Sequence, residues 1–468
     1  MGRRRTNRDS SFVKRRARII ELDLPDFGGA AAPPPKLGLD ECERRVELTR
    51  EAMDRRGLTH LVVYGDREHY ANIAWLTGLD PRFEEALVVL RLTGDPLIVV
   101  GTECESYLPI SPLWKAGRLR HERYEHFSLL DISRDKSRSL EEIFENEGID
   151  GAAGARVGCA GWKYYPDERA LEVPSYIADV LRGLCLDVIN ATALFMHSDT
   201  GLRSFCPAFD IATFEYANVI ASNGMWSMTR AIRLGMTDHE LAAHMGFNGM
   251  PHSCHWTLKT GPHRISLASA NGAVVERGQP LSANIGLMGA NCCRCAWVAE
   301  DERDAPAGYV EQFVGPYVVA MGEWFAMLRV GASAGAIDAR MRELLPFEVF
   351  HVKLNPGHLI HLDEWMSSPF WPGSEIGLHS GMAIQSDLIP SHPVFVSTRM
   401  EDTYVLADAE LRAALRREYP ECSARCEARR EFMRSVLGFE VSDEVLPLTN
   451  LPGVVSPYLL APERVVAV

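Results

Sequence analysis

Apolar positions along this chain switch repeatedly between the period of a helix and that of a strand. Between residues 40 and 57 the segment ECERRVELTREAMDRRG repeats apolar residues at helical spacing and closes on Gly57, which predicts a helix. LTHLVVYG follows as a short valine-rich run and predicts a buried strand. In EEALVVLRLTGDPLIVVG two apolar runs flank Thr93-Gly94-Asp95, the pattern of a hairpin or of adjacent strands. Helices and strands alternate in this way over the first 190 residues. After VINATALFMHSDT, a loop opens the segment GLRSFCPAFDIATFEYANVIASNGMWSMTRAI, which continues as a long helix. A glycine stop then precedes Thr237 and Glu240, whose spacing is that of a capping box. Strand-like runs occupy 281–298, 382–389 and 394–406, and an amphipathic helix is expected near 307–329. The pattern implies an N-terminal α/β unit at 39–196 and a larger α+β unit at 197–468.

Ahead of both lies a basic stretch, MGRRRTNRDSSFVKRRAR, and a Pro/Ala/Gly-rich linker, GAAAPPPKLG. Residues 1–38 are therefore expected to be a flexible leader, with folding starting near residue 39. Composition changes this picture little. The chain has 468 residues, 46% of them hydrophobic and 24% charged, which is ordinary for a globular protein of two or three domains. Its net charge of −14 argues against nucleic acid or an anionic membrane as partner. With no apolar run long enough to span a bilayer and no apolar segment in the N-terminus, a cytoplasmic location is expected. The 11 cysteines are few and irregularly spaced, so they are expected to be reduced and packed as small hydrophobes.

Four stretches of the second unit gather groups suited to proton transfer: KTGPHRIS with His263, NPGHLIHLDEW with His358 and His361, GMAIQSDLIP with Asp387, and STRMEDTYVL with Glu401 and Asp402. Asp387 interrupts an apolar pattern and needs a partner, either in a functional site or in a structural ion pair with Arg399. Glu401 and Asp402 are adjacent on a strand, so only one of them faces inward. In NCCRC, Cys293 and Cys295 share one face while Cys292 points to the other, and no second CxxC pair completes a zinc site; Cys422 and Cys426 lie far off on an expected helix.

These stretches, in this order, resemble the creatinase/aminopeptidase P/methionine aminopeptidase group. The resemblance rests on VVYGDREHYANIAWLTGL in the first unit. In the second it rests on LRSFCPAFDIATFEYA, RLGMTDHELA, TGPHRIS, ERGQPLSANIG, NPGH, SGMAIQSD and RMEDTYVL, so it covers about 40–410. It implies a C-terminal pita-bread domain preceded by a smaller creatinase-type α/β domain. Metal-dependent members hold two divalent ions with two aspartates, a histidine and two glutamates. Aligned without gaps, those positions fall on Asn284, Cys295, His358, Asp387 and Glu401; a short gap places Asn291 at the second. Only His358 and Glu401 keep the family residue, so the resemblance implies no metal and no other cofactor.

Creatinase works without metal and likewise has an LSxN segment at the first aspartate position. By that likeness His263 is the general base and acid, and Glu401 with Asp387 holds a cationic substrate. His358, His361, Arg399, Asn284 and Arg82 line the substrate site. Arg82 in GLDPRFEEA can equally be a solvated turn residue. The departures are His361 where the family has glycine and the shortening of a glutamate to Asp387. The expected activity is hydrolysis of a C–N bond in a small guanidino, amidine or cyclic amidine compound, by a homodimer in which each N-terminal domain closes over the partner's site. The alternatives are a lyase similar to the dimethylsulfoniopropionate lyases, whose segment HLDEW echoes, a non-catalytic binding protein, and a metallopeptidase using Cys295 and His358.

Overall fold

A computed structural model describes residues 16–31, 33–131, 133–261 and 267–468. The first unit is built on a six-stranded mixed sheet in the order Arg120–Arg123, Leu97–Val100, Ala86–Arg91, His60–Gly65, Val157–Ala160, Val188–Asn190. His60–Gly65 is central because HLVVYG is apolar on both faces, and all six of its residues are buried. Its alternate side chains divide between two layers. Leu61 and Val63 pack with Met53 and Trp75 under helices Leu39–Arg55 and Ala71–Thr77. Val62 and Tyr64 pack with Phe144 and Leu181 from helices Leu140–Asn146 and Ser175–Leu184. Gly94, at φ +85°, makes the turn between the paired strands Ala86–Arg91 and Leu97–Val100.

Two antiparallel four-stranded sheets form the second unit. One runs Arg399–Glu401, Ala290–Trp297, Pro280–Leu287, Thr257–Thr260, and the other His358–Leu359, Ala383–Gln385, Thr403–Leu406, Val445–Pro447. The chain crosses from one to the other at Asp402, between strands Arg399–Glu401 and Thr403–Leu406. Helix Ala208–Ala231 packs on the hairpin 280–297, and the capping box at Thr237 and Glu240 opens helix Asp238–Ala242.

Three expectations need correction. Residues 18–21 are no part of a flexible leader: Arg18–Glu21 pairs antiparallel with Arg464–Ala467 near the C-terminus, and Phe27 meets Phe432 edge to face. Local composition hid this because the partner strand lies more than 400 residues away. The helix expected near 307–329 is a π-helical turn, Tyr309–Val314, followed by α-helix Gly315–Met327, and none of the thirteen α-helical residues is exposed. It is a core helix rather than an amphipathic one. In 382–389 only Ala383–Gln385 is a strand, so Asp387 lies just past a strand end.

Candidate functional site

The register of the first sheet sets the site's floor. Cys293 pairs with both Asn284 and Glu401, and Cys295 pairs with Ser282 and Arg399. Directly opposed residues of antiparallel strands share a face. Ser282, Asn284, Asn291, Cys293, Cys295, Arg399 and Glu401 therefore point one way. Cys292 and Arg294 point the other way, where Arg294 Nη2 grips Asp402 at 2.8 and 3.0 Å. Asp402 is thus a structural partner of Arg294, and Glu401 is the carboxylate of that pair that enters the site.

On this floor the polar groups form a directed chain. The backbone N–H of Thr257 donates to Asn284 Oδ1 at 3.0 Å, Asn284 Nδ2 to Asn291 Oδ1 at 2.6 Å, and Asn291 Nδ2 to Glu401 Oε1 at 2.6 Å. A backbone N–H can only donate, so it fixes the orientation of both amides. The Asn291 amide also reaches Glu364 Oε1 at 3.4 Å. Asn291, and not Cys295, is the residue that meets Asn284 and Glu401.

His358 stands over this row from the second sheet. It is fully buried, its ring stacks on Trp365 with centroids 4.1 Å apart, and its Nδ1 lies 3.1 Å from the Leu359 carbonyl. A carbonyl accepts only, so Nδ1 carries a proton and Nε2 is turned toward Glu364, at 3.3 Å, and Asp387, at 3.7 Å. Both Nε2 and Asp387 Oδ1 are buried, and among the described residues neither has a hydrogen-bond partner. Burial opposes charge on the ring, but Glu364 next to it, with Asp387 and Glu401 behind, outweighs burial and lifts His358 to about 9. Burial, with Glu364 adding to it, raises Asp387 to about 6 against the pull of His358 and Arg399. Burial, then Asp387 and Glu364, push Glu401 well above the carboxylate range. The group titrates as a unit and retains a proton that isolated carboxylates would lose.

The other expected site residues fall in different places. Arg399 is buried beside the cysteines and donates to Ser282 Oγ at 3.2 Å; an ion pair with Asp387 is not formed, although its charge acts on both Asp387 and Glu401. His361 leaves the His358 group altogether and faces Asp210 in a second buried cluster, because three positions along extended chain place it on the opposite face from His358. Arg82 sits half-exposed in a turn at φ +59°, bonded to Tyr107 Oη at 2.5 Å, on the rim of a cleft of about 520 Å³. Cys254 also lines that cleft, 3.6 Å from Asn284 Nδ2, and burial pushes its thiol up to about 12. His263 lies outside the described residues. Glu364 and Trp365 were not among the expected site residues, and their signal was the acidic and aromatic pair in HLDEW, just beyond His358.

Comparison with solved structures settles the architecture. The chain is similar to the prolidase from Pyrococcus horikoshii OT3, at 15% identity, TM-score 0.58, over 78% of this chain and 95% of the other. It is similar to dipeptidase PepE from Mycobacterium ulcerans, at 20% identity, TM-score 0.57, over 80% and 95%. A third match is the X-Pro aminopeptidase from Thermotoga maritima MSB8, at 14% identity, TM-score 0.59, over 78% and 95%. The chain has the pita-bread fold. No family model matches the sequence, and no curated protein matches it either.

The two-ion centre of metal-dependent pita-bread proteins does not fit these residues. By the family resemblance, such a centre needs carboxylates at Asn284 and at Cys295 or Asn291, and none of these is a carboxylate. Both amide oxygens already accept hydrogen bonds, from Thr257 and from Asn284, and the Asn291 Nδ2 donates to the Glu401 oxygen that an ion would have to share. Among the described residues, what stands at this place is the group His358, Asp387 and Glu401, with ligand atoms within 4.8 Å of one another.

Proposed function

We propose that this pita-bread chain is a hydrolase that cleaves a C–N bond of a small cationic guanidino, amidine or cyclic amidine compound, without a two-metal centre. One observation carries the reading: Glu364, Asp387 and Glu401 converge on His358 in a buried cluster where burial and mutual repulsion hold a proton. A guanidinium or amidinium replaces that proton with a planar cation bearing several N–H donors, which suits carboxylates at short range. Asp387 and Glu401 then hold the cation, and the Thr257–Asn284–Asn291 chain keeps Glu401 aimed. His358, charged at neutral pH, donates its Nε2 proton to the leaving nitrogen. His263, proposed as the base that activates water, completes the set. The enzyme acts as a cytoplasmic homodimer, with Arg82 of the N-terminal unit contributing at the cleft, and needs no nucleic acid or membrane.

Calorimetry with guanidino acids and cyclic amidines, together with an assay of ammonia or urea release, tests this. We expect micromolar to millimolar binding at pH 7.5, weakened at pH 5 as Asp387 takes up its proton, and loss of turnover in Glu401→Gln. Failure of every cationic compound to bind, with cleavage of Xaa-Pro dipeptides on adding manganese, would refute it. That second outcome is the alternative peptidase reading, which the free Nε2 of His358 beside two carboxylates favours. Metal analysis of the purified protein separates the two.

A further inference from the structure

The cluster that His361 joins lies where three parts of the chain meet. Cys206 precedes helix Ala208–Ala231, Asp210 is in that helix's first turn, and His361 follows strand His358–Leu359. Cys206 Sγ, an Asp210 carboxylate oxygen and a His361 ring nitrogen lie within 4.8 Å of one another, and all three residues are buried. Arg45 of the first unit occupies Asp210 Oδ1 at 2.7 Å and is itself bound to Glu41 and to the Trp75 carbonyl. Asp210 Oδ2 is left facing His361 Nε2 at 3.6 Å.

His361 is 1% exposed, and among the described residues neither of its ring nitrogens has a hydrogen-bond partner. A neutral imidazole brings one donor and one acceptor into the interior, and leaving both unmatched is costly. Phe214 covers the ring edge to face at 4.8 Å and offers no polar group. The chemistry of the neighbours points to what satisfies the ring. A tetrahedral site with bonds of about 2.0–2.3 Å has ligand atoms about 3.3–3.7 Å apart, and the 3.6 Å separation of His361 Nε2 from Asp210 Oδ2 falls within that span.

We propose that Cys206, Asp210 and His361 bind one zinc ion, with water as the fourth ligand and Arg45 fixing the aspartate from behind. Thiolate, imidazole and carboxylate together suit a borderline-soft tetrahedral cation rather than magnesium or calcium. On binding, a zinc–sulfur bond forms and the Cys206 thiol proton leaves to solvent, so uptake weakens as pH falls. The ion ties the start of the long helix to the segment that carries His358 and Glu364, and Arg45 joins both to the first unit. It is chemically distinct from the His358 group, whose donors are nitrogen and oxygen only.

The test uses the full chain, loaded with zinc, dialysed, and analysed for metal as wild type, Cys206→Ser, His361→Gln and His358→Gln. We expect about one zinc per chain in wild type and His358→Gln, and a loss of at least tenfold in affinity in the other two. Cobalt in place of zinc should give a thiolate-to-metal charge-transfer band in wild type and Cys295→Ser that is absent in Cys206→Ser. The wild-type cobalt spectrum decides the matter even if a variant fails to fold. Wild-type protein that retains no zinc, a cobalt spectrum without the thiolate band, or zinc kept by Cys206→Ser and lost by His358→Gln would each overturn the proposal.

Discussion

Replacing Asn291 by aspartate exchanges one NH2 group for oxygen at nearly constant volume and reverses the hydrogen-bond chain at its midpoint. In the native protein Asn291 Nδ2 donates to Glu401 Oε1 at 2.6 Å. In Asn291→Asp an oxygen faces that carboxyl group instead, in a pocket already holding Glu364 and Asp387. Were the new carboxylate and Glu401 both charged, repulsion at this distance would be about 6 kcal/mol with an effective dielectric constant of about 20. Keeping the charge of the group unchanged instead requires one proton more than the native protein binds. From an ordinary aspartate pKa of about 3.9, that proton costs about 4 kcal/mol at pH 7 and about 1.5 kcal/mol at pH 5. Protonation is the smaller cost, so the variant should be destabilised by about 4 kcal/mol at pH 7 and recover more than half of that at pH 5. Manganese or zinc should also restore stability, since a cation can replace the extra proton. Denaturant unfolding at the two pH values, with and without the ion, measures all of this. A variant whose unfolding midpoint matches the wild type at both pH values would show that the Asn291 amide does not face Glu401.

His358→Gln should change how stability depends on pH. The folded-state pKa is raised from 6.5 to about 9, so the charged ring contributes fully below about pH 6.5 and its contribution disappears as pH rises through 9. The shift corresponds to about 3 kcal/mol, and thermal unfolding between pH 6 and 10 should show a decline in wild type that is flattened in the variant. Arg203→Ala removes the guanidinium that pairs with Asp363 and Asn72 between the two units, leaving a buried carboxylate uncompensated. A loss of about 3–5 kcal/mol in unfolding free energy is expected, and an unchanged midpoint would contradict the pairing. Deletion of residues 1–21 strips Arg464–Ala467 of its partner strand and should lower the thermal midpoint and promote aggregation, measurable by light scattering.

Several features were legible because they depend on neighbours in sequence. The capping box at Thr237 and Glu240, the turn at Gly94 and the opposite facing of Glu401 and Asp402 each follow from local backbone geometry. The face pattern of the cysteines is of this kind too: Cys292 lies with Asp402 while Cys293 and Cys295 lie with Arg399. The site was legible only in part. His358, Asp387, Glu401 and Asn284 do gather, but His361, three residues from His358, belongs to another cluster, and Glu364 enters the site from a segment with no regular period. The choice between Cys295 and Asn291 was open because it depends on a strand register, and register is set by pairing with a partner strand.

The amino-acid sequence alone determined the alternation of elements and the strand-like run at 281–298, and its family resemblance implied the pita-bread architecture. Only the tertiary structure decided that Asn291 locks Glu401, that three carboxylates share His358, that His361 faces Asp210, and that the N-terminal segment pairs with the C-terminal one. The division has a physical cause. Dihedral preference and hydrophobic period act over a few residues, whereas the pKa values and hydrogen bonds of a buried site are set by groups far apart in the chain, 117 residues for Ser282 and Arg399, and these meet only when the sheets close.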